Sequence, residues 1–298
     1  LRTVRPAQVD LRRRSLYKRA VLVAIGGNAF LAASKGLVAL LSGSSAVLSD
    51  ATNSLSDTLY SLLMGLGLYV AQRPADESHP QGHSRFEPLV SLGVALAMFV
   101  AGVMAVRESL ARFGQPIAAI QLGWPTLVLI MSALVKVGMF AGVRRLGREA
   151  RSPAIQASAR DNLADVLASV SALAGVWGSR LVHPGLDPIA GAVVALWIFR
   201  TAWQVTWENL GYLTGRGAPE ELTDRIAQTA GEVLGVDGVH RVIADHVGPQ
   251  LRVDIHITVD PAMALEGAHE ISEEVRRRIE ALPDVDTAFV HVEPTGEE

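Results

Sequence analysis

Six long apolar stretches dominate the chain up to residue 212, at about 20–41, 46–70, 87–109, 117–143, 160–182 and 187–207. Each approaches or exceeds the ~20 residues that a helix needs to cross the hydrocarbon of a bilayer, so six transmembrane helices are predicted. The fifth is weakest at its start, where Gln156, Arg160, Asp161, Asn162 and Asp165 interrupt it before the apolar run Val166 to Trp177. Beyond Tyr212 the pattern turns charged and alternating, which puts a domain boundary near 213 and a soluble domain over 213–298. There, Pro219 to Leu234 has a helical period, with Glu220 and Glu221 in the first turn where the helix dipole favours them. Val239 to Val247 and Leu251 to Val259 alternate like strands around the turn residues Gly248-Pro249. Leu265 to Leu282 reads as a second helix and Thr287 to Val292 as a last strand. The order α-β-β-α-β predicts a small sheet covered by two helices, an α+β architecture.

Composition agrees with a membrane protein carrying a soluble part. Of 298 residues 49% are hydrophobic and only 19% charged, with a mean hydropathy of +0.28. The net charge of −3 hides an uneven distribution. Arg2, Arg5, Arg12, Arg13, Arg14, Lys18 and Arg19 crowd a basic arm over 1–19, and Arg144, Arg145, Arg148 and Arg151 fill the connection between the fourth and fifth spans. The positive-inside rule places both on the cytoplasmic side, so both termini are expected there. This charge argues for topology, not for nucleic-acid binding. Leu1 to Arg19 has no apolar core of its own, so no signal peptide is expected there. The absence of cysteine excludes disulfides and thiolate metal sites, and with them the soft ligands that Cu(I) prefers.

Against this apolar background, Asn53 and Asp57 in the second span and Asp161 and Asp165 in the fifth form two pairs of oxygen side chains at i, i+4. On a helix each pair shares one face, about a turn apart. With the second span running inward and the fifth outward, the pairs are expected to meet towards the middle of the membrane. Asp50 lies on the same face three residues before Asn53, nearer the outer entrance. Such groups can serve as hydrogen-bonding glue between spans. Several carboxylates in so small a volume of lipid point instead to an ion or proton route. Oxygen ligands without sulfur or imidazole suit harder divalent ions such as Mn²⁺ and Fe²⁺. Carboxylates left together when the ion departs would take up a proton, a physical basis for metal-proton exchange that needs no ATP motif.

Two further clusters mix nitrogen and oxygen donors. Asp76, His79 and His83 fall close together in the connection between the second and third spans, a combination that zinc and its neighbours accept. In the soluble domain, Asp254 and His256 share one face of a strand whose other face carries Val253, Ile255 and Ile257, and His291 and Glu293 share a face of the last strand. His240, His246 and His269 add three more imidazoles. Singly, each would pass for a solvated surface side chain; as a set they point to metal binding.

Together these residues resemble the cation diffusion facilitator family, dimeric metal-proton antiporters with six spans and a cytoplasmic metallochaperone-like domain. The likeness rests on Gly43-Ser44-Ser45-Ala46-Val47-Leu48-Ser49-Asp50-Ala51 leading to Asn53-Ser54-Leu55-Ser56-Asp57, on Pro74-Ala75-Asp76 through His79-Pro80 to Gly82-His83, and on Asp161-Asn162-Leu163-Ala164-Asp165. It implies a homodimer in the bilayer that exchanges divalent cations for protons, with no organic cofactor. Such a chain is expected in a bacterial inner membrane or an internal membrane derived from it. By position, Asn53, Asp57, Asp161 and Asp165 match the transport site, and Asp76, His79 and His83 the loop site. His240, His256, His269, His291 and Glu293 fall where related transporters bind metal in the cytoplasmic domain. Asp254 matches a ligand position of the magnetosome-associated branch, also resembled in Val259-Asp260-Pro261 to Ala268-His269-Glu270. Zinc-transporting relatives usually have histidine where this chain has Asp161, and Asp or His where it has Asn53. The all-oxygen set therefore sets zinc preference aside in favour of Mn²⁺ or Fe²⁺ as the expected cargo, with Zn²⁺, Co²⁺ and Cd²⁺ as the alternatives. Two rival functions are a metal sensor or scaffold without transport, and an intramembrane aspartyl protease built on Asp57 and Asp165. The second lacks the Tyr-Asp and Gly-x-Gly-Asp signatures of that class.

Overall fold

The computed structural model describes residues 11–42, 45–112, 124–181 and 186–296; the side chains of 42–50, 112–126, 128–129 and 172–187 fall outside that description. Two compact units are present, Leu1–Asn209 and Leu210–Glu298. Six long helices come first: α1 (Leu11–Ser42), α2 (Ser45–Ala71), α3 (Phe86–Arg112), α4 (Trp124–Glu149), α5 (Pro153–Leu181) and α6 (Leu186–Leu213).

Each helix coincides with an apolar stretch of the sequence, and two start well before it. α1 is described from Leu11, so Arg12 to Arg19 of the basic arm are helical. The Leu, Arg and Lys residues here are good helix formers, and Leu16, Tyr17 and the following Ala20 are buried at helical spacing. α5 starts seven residues before 160 because Ser152-Pro153 is a strong helix start. The Ser152 hydroxyl accepts a hydrogen bond from the Ile155 N–H at 3.2 Å, and Pro153 takes the first helical position, where no N–H is needed. The part of the fourth stretch before Trp124 lies outside the described residues.

Among the described residues, Leu11–Leu41, Phe86–Ala111 and Pro188–Leu213 are long and apolar enough to cross a membrane. Near the centres of the other three helices lie Asn53 and Asp57 in α2, Ser132 and Lys136 in α4, and Asp161, Asn162 and Asp165 in α5. Leu40, Leu63, Leu96, Leu134, Val170 and Leu196, one from each helix, are all exposed.

Two apolar clusters hold these helices together. Leu16, Ala20, Met64, Leu68, Val143 and Ile155 join α1, α2, α4 and α5, while Val94, Met98, Ala164, Ile198 and Val205 join α3, α5 and α6. Small residues allow the closest approaches. A Cβ at Gly27 would collide with the Met139 side chain, so α1 and α4 pack tightly there because the position is glycine.

The second unit contains α7 (Glu220–Gly231), β1 (Gly238–Val247), β2 (Gln250–Val259), α8 (Leu265–Glu280) and β3 (Val285–Pro294). The sheet order is β1-β2-β3, with β1 and β2 antiparallel and β2 and β3 parallel through the α8 crossover. Val253, Ile255 and Ile257 of β2 are fully buried against Ile226 of α7 and Val275 and Ile279 of α8. Alternation therefore leaves Asp254 exposed and His256 half-buried on the open face.

Candidate functional site

Near the midpoints of three helices, one cation lies between two carboxylates. The Lys136 ammonium of α4 donates to Asp57 Oδ2 of α2 at 2.9 Å and to Asp165 Oδ2 of α5 at 2.6 Å. Lys136 is only 6% exposed, so both ion pairs are largely shielded from solvent. Asp161, one turn before Asp165, is half-buried and within electrostatic reach of Asp165, Lys136 and Asp57. Asn53 is exposed, one turn before Asp57. The side chain of Asp50 lies outside the described residues. A second lysine, Lys35 of α1, is also buried and donates to the Ser54 hydroxyl at 2.9 Å. The α2 backbone is tied to α1 as well: the Asn28 amide donates to Ser61 Oγ at 3.0 Å, and Ser61 donates to the Asp57 carbonyl at 2.8 Å.

The connection between α2 and α3 folds around Asp76. Its carboxylate accepts the His79 backbone N–H at 2.8 Å, and that hydrogen bond holds its pKa below the ordinary value. Gly82 turns the chain back at φ +96°, a conformation that glycine adopts without a Cβ clash. His83 is then buried with Nδ1 at 3.1 Å from the Pro74 carbonyl. A carbonyl can only accept, so Nδ1 carries the proton and Nε2 is free to ligate, 3.4 Å from Asp76 Oδ2. His79 Nδ1 lies 3.6 Å from Asp76 Oδ1, and Phe86 packs on both imidazoles. One ligand atom from each of Asp76, His79 and His83 falls within 4.8 Å of the others, a mixed N/O set that suits zinc and its neighbours.

A second such group forms on the open face of the sheet from His240, His256 and Glu293. Glu293 accepts from His256 Nδ1 at 2.9 Å and lies 3.3 Å from His240 Nδ1 and 3.5 Å from His291 Nε2. The His256 hydrogen bond, with the three imidazoles around it, holds the Glu293 carboxyl below its ordinary pKa. His240 reaches this face through an irregularity in the ladder between Val239 and Arg241. The extra residue lets Val239 pack in the core while His240 joins His256 on the open side. The group does not include His246, which lies at the far end of β1, edge-on to Tyr212 at 4.8 Å. Asp254 pairs in register with Phe289 of β3, and His269 lies exposed on α8; neither belongs to the group.

Residues 21–214 match the cation efflux transmembrane domain family. The chain belongs to the cation diffusion facilitator family. Residues 218–295 match the cytoplasmic domain of cation efflux proteins. An uncharacterized transporter of Methanocaldococcus jannaschii, MJ0449, is 34% identical over 93% of this chain and 98% of its own length. The manganese efflux system protein MneS of Bacillus subtilis is 27% identical over 92% of this chain and 94% of its own. The magnetosome protein MamM of Magnetospirillum gryphiswaldense is 32% identical over 83% of this chain and 81% of its own. A solved nickel form of the MamM CTD is 32% identical, covering 26% of this chain and 98% of that chain, with a TM-score of 0.25. This facilitator is therefore an integral membrane cation efflux transporter, not an enzyme, and the aspartyl protease reading falls.

The facilitator's two buried lysines are not oxygen donors and so stand outside the pattern of the Asn and Asp pairs. A lone ammonium inside an apolar helix, as in Val135-Lys136-Val137, was the available signal, because such a group demands a carboxylate partner. In the cytoplasmic domain, burial pushes the His246 imidazole below the ordinary value of 6.5. The folded state thus favours the neutral ring. Its contribution is complete above about pH 6.5 and is lost as pH falls through the lower folded-state value. Replacing His246 with Phe is expected to flatten the melting temperature against pH below about 6.5. An unchanged pH profile would contradict this.

Proposed function

We propose that this facilitator is a homodimer whose six helices all span the membrane, with both termini in the cytoplasm, and that it exports Mn²⁺ or Fe²⁺ in exchange for protons. It would reside in a bacterial inner membrane or one derived from it. The observation that carries this reading is the convergence of Asp57 and Asp165, from different helices, on one cation at mid-helix depth. Three carboxylates and no imidazole surround that point, a donor set for a hard divalent ion. Asn53, one turn along α2, would join them when the helices rearrange. Rocking of the helices about this point would expose it alternately to the two sides. The manganese efflux relative agrees with the metal assignment. The two histidine-containing groups would take metal in a regulatory role. In the cytoplasmic domain, ions at His240, His256 and Glu293, with His291 beside them, would tighten the dimer and favour transport, provided that they bind the two states unequally. Asp254, His246 and His269 would remain outside that role.

Competitive uptake of Mn²⁺, Fe²⁺, Co²⁺, Cd²⁺ and Zn²⁺ into vesicles containing the protein tests the metal assignment. Mn²⁺ and Fe²⁺ are expected to compete best, and Asp161→His and Asn53→Asp are expected to shift the preference, the first towards Zn²⁺. A zinc preference in the unmodified protein would refute the oxygen-ligand argument. Metal binding by residues 213–298 without flux through the full chain would favour the sensor reading.

A further inference from the structure

We propose that Lys136 is a built-in competitor for the transported ion, a tethered cation that occupies the transport site and must be displaced for metal to bind. The inference rests on the transport reading of Asp57 and Asp165. The Lys136 ammonium donates to one oxygen of each, at 2.9 and 2.6 Å, and it comes from a third helix. A divalent ion held by the same two oxygens would sit at about 2.0–2.2 Å from each, in the space between them that the ammonium fills. Two positive charges cannot share that space, so metal entry and lysine departure are one event. The lysine stem is a flexible four-carbon chain, and Asp161 is within electrostatic reach as a resting place for the displaced charge.

Two consequences follow for the transport cycle. With metal absent, the ammonium counters one of the three carboxylate charges in this low-dielectric interior and leaves the rest to the protons that the exchange brings in, so the empty site is stable enough to return. With metal bound, the returning ammonium competes for the same oxygens, so the site holds its ion weakly enough to release it. Efficient passage requires that balance between capture and release. Lysine serves this purpose better than arginine would, because its compact ammonium leaves a carboxylate pair more readily than a bidentate guanidinium fork does.

The test is equilibrium Mn²⁺ binding to the purified full-length protein carrying His83→Ala, His256→Ala and Glu293→Ala, which remove donors of the two other metal groups. Adding Lys136→Gln is expected to lower the dissociation constant by at least about tenfold, and Lys136→Arg to raise it. In the Gln variant, the half-saturating Mn²⁺ concentration for flux should fall alongside, with a lower maximal rate because release slows. If Lys136 were only a bolt joining α2, α4 and α5, both variants would bind metal equally or more weakly, and that result would overturn the proposal. Should the Gln variant not fold, an Arg variant that binds Mn²⁺ as tightly as the parent would overturn it equally. Opposed shifts in binding without flux in the unmodified protein would uphold the competitor and refute the transporter. Flux without the opposed shifts would do the reverse.

Discussion

Asp165→Ala is expected to abolish metal flux, lowering it by about 100-fold or more in reconstituted vesicles. Loss of a group that merely orients a ligand already costs a metal site about 10–100-fold. Asp165 is placed as a direct ligand: its Oδ2 is the nearer of the two carboxylate contacts of Lys136. Without it, neither the ammonium nor an incoming ion bridges α2 and α5. Asp57→Ala should produce the same loss, since it removes the other half of the bridge. Radiometal uptake measured on samples of matched melting temperature separates this from misfolding. Flux within a fewfold of the parent for either variant would place the transport path elsewhere.

The largest effect on stability is expected at Glu87. This buried side chain, at the start of α3, accepts from the Tyr17 hydroxyl at 2.5 Å, from the Ser152 hydroxyl, and from Arg13 at a longer 3.5 Å. It therefore ties together α1, α3 and the cap of α5. Ser152 is doubly engaged, donating to Glu87 while accepting from the first turn of α5. Glu87→Ala would leave two buried hydroxyls and a guanidinium without their shared acceptor. The expected cost is about 3 kcal/mol or more, in the range for breaking a buried charged network. Glu87→Gln keeps one carbonyl acceptor and should cost less. Thermal unfolding of both variants checks this. An Ala variant within about 0.5 kcal/mol of the parent would show that the network contributes little.

How much was legible in the sequence depended on how local the signal was. The α-β-β-α-β order of the second unit could be read because each strand announces itself by alternation. Val253, Ile255 and Ile257 fill the core while Asp254 and His256 do not. The carboxylates stood out because charge in an apolar helix is costly, and the same rule applied to lysine would have found Lys136. Helix starts were less legible where polar residues dilute hydropathy. α5 begins at a Ser-Pro cap, and Gln156 and Arg160 within it hide its first turns from an apolar window. Partnership was the least legible property. Five histidines of the cytoplasmic domain look alike in sequence, yet the sheet brings only His240, His256 and His291 around Glu293. His240 depends on a bulge that is defined by its partner strand, and His269 belongs to a helix away from that face. Likewise, i, i+4 spacing places Asn53 and Asp57 on one face, but the rotation of α2 leaves Asn53 exposed.

Coupling of metal to proton movement is the claim on which the account turns. The direct measurement is Mn²⁺ entry into proteoliposomes under an imposed pH gradient, with internal pH recorded at the same time. Mn²⁺ is expected to move in the direction opposite to the proton flux, to stop when the gradient is collapsed, and not to enter Asp57→Ala vesicles. No Mn²⁺ movement, or movement that leaves internal pH untouched, would contradict it.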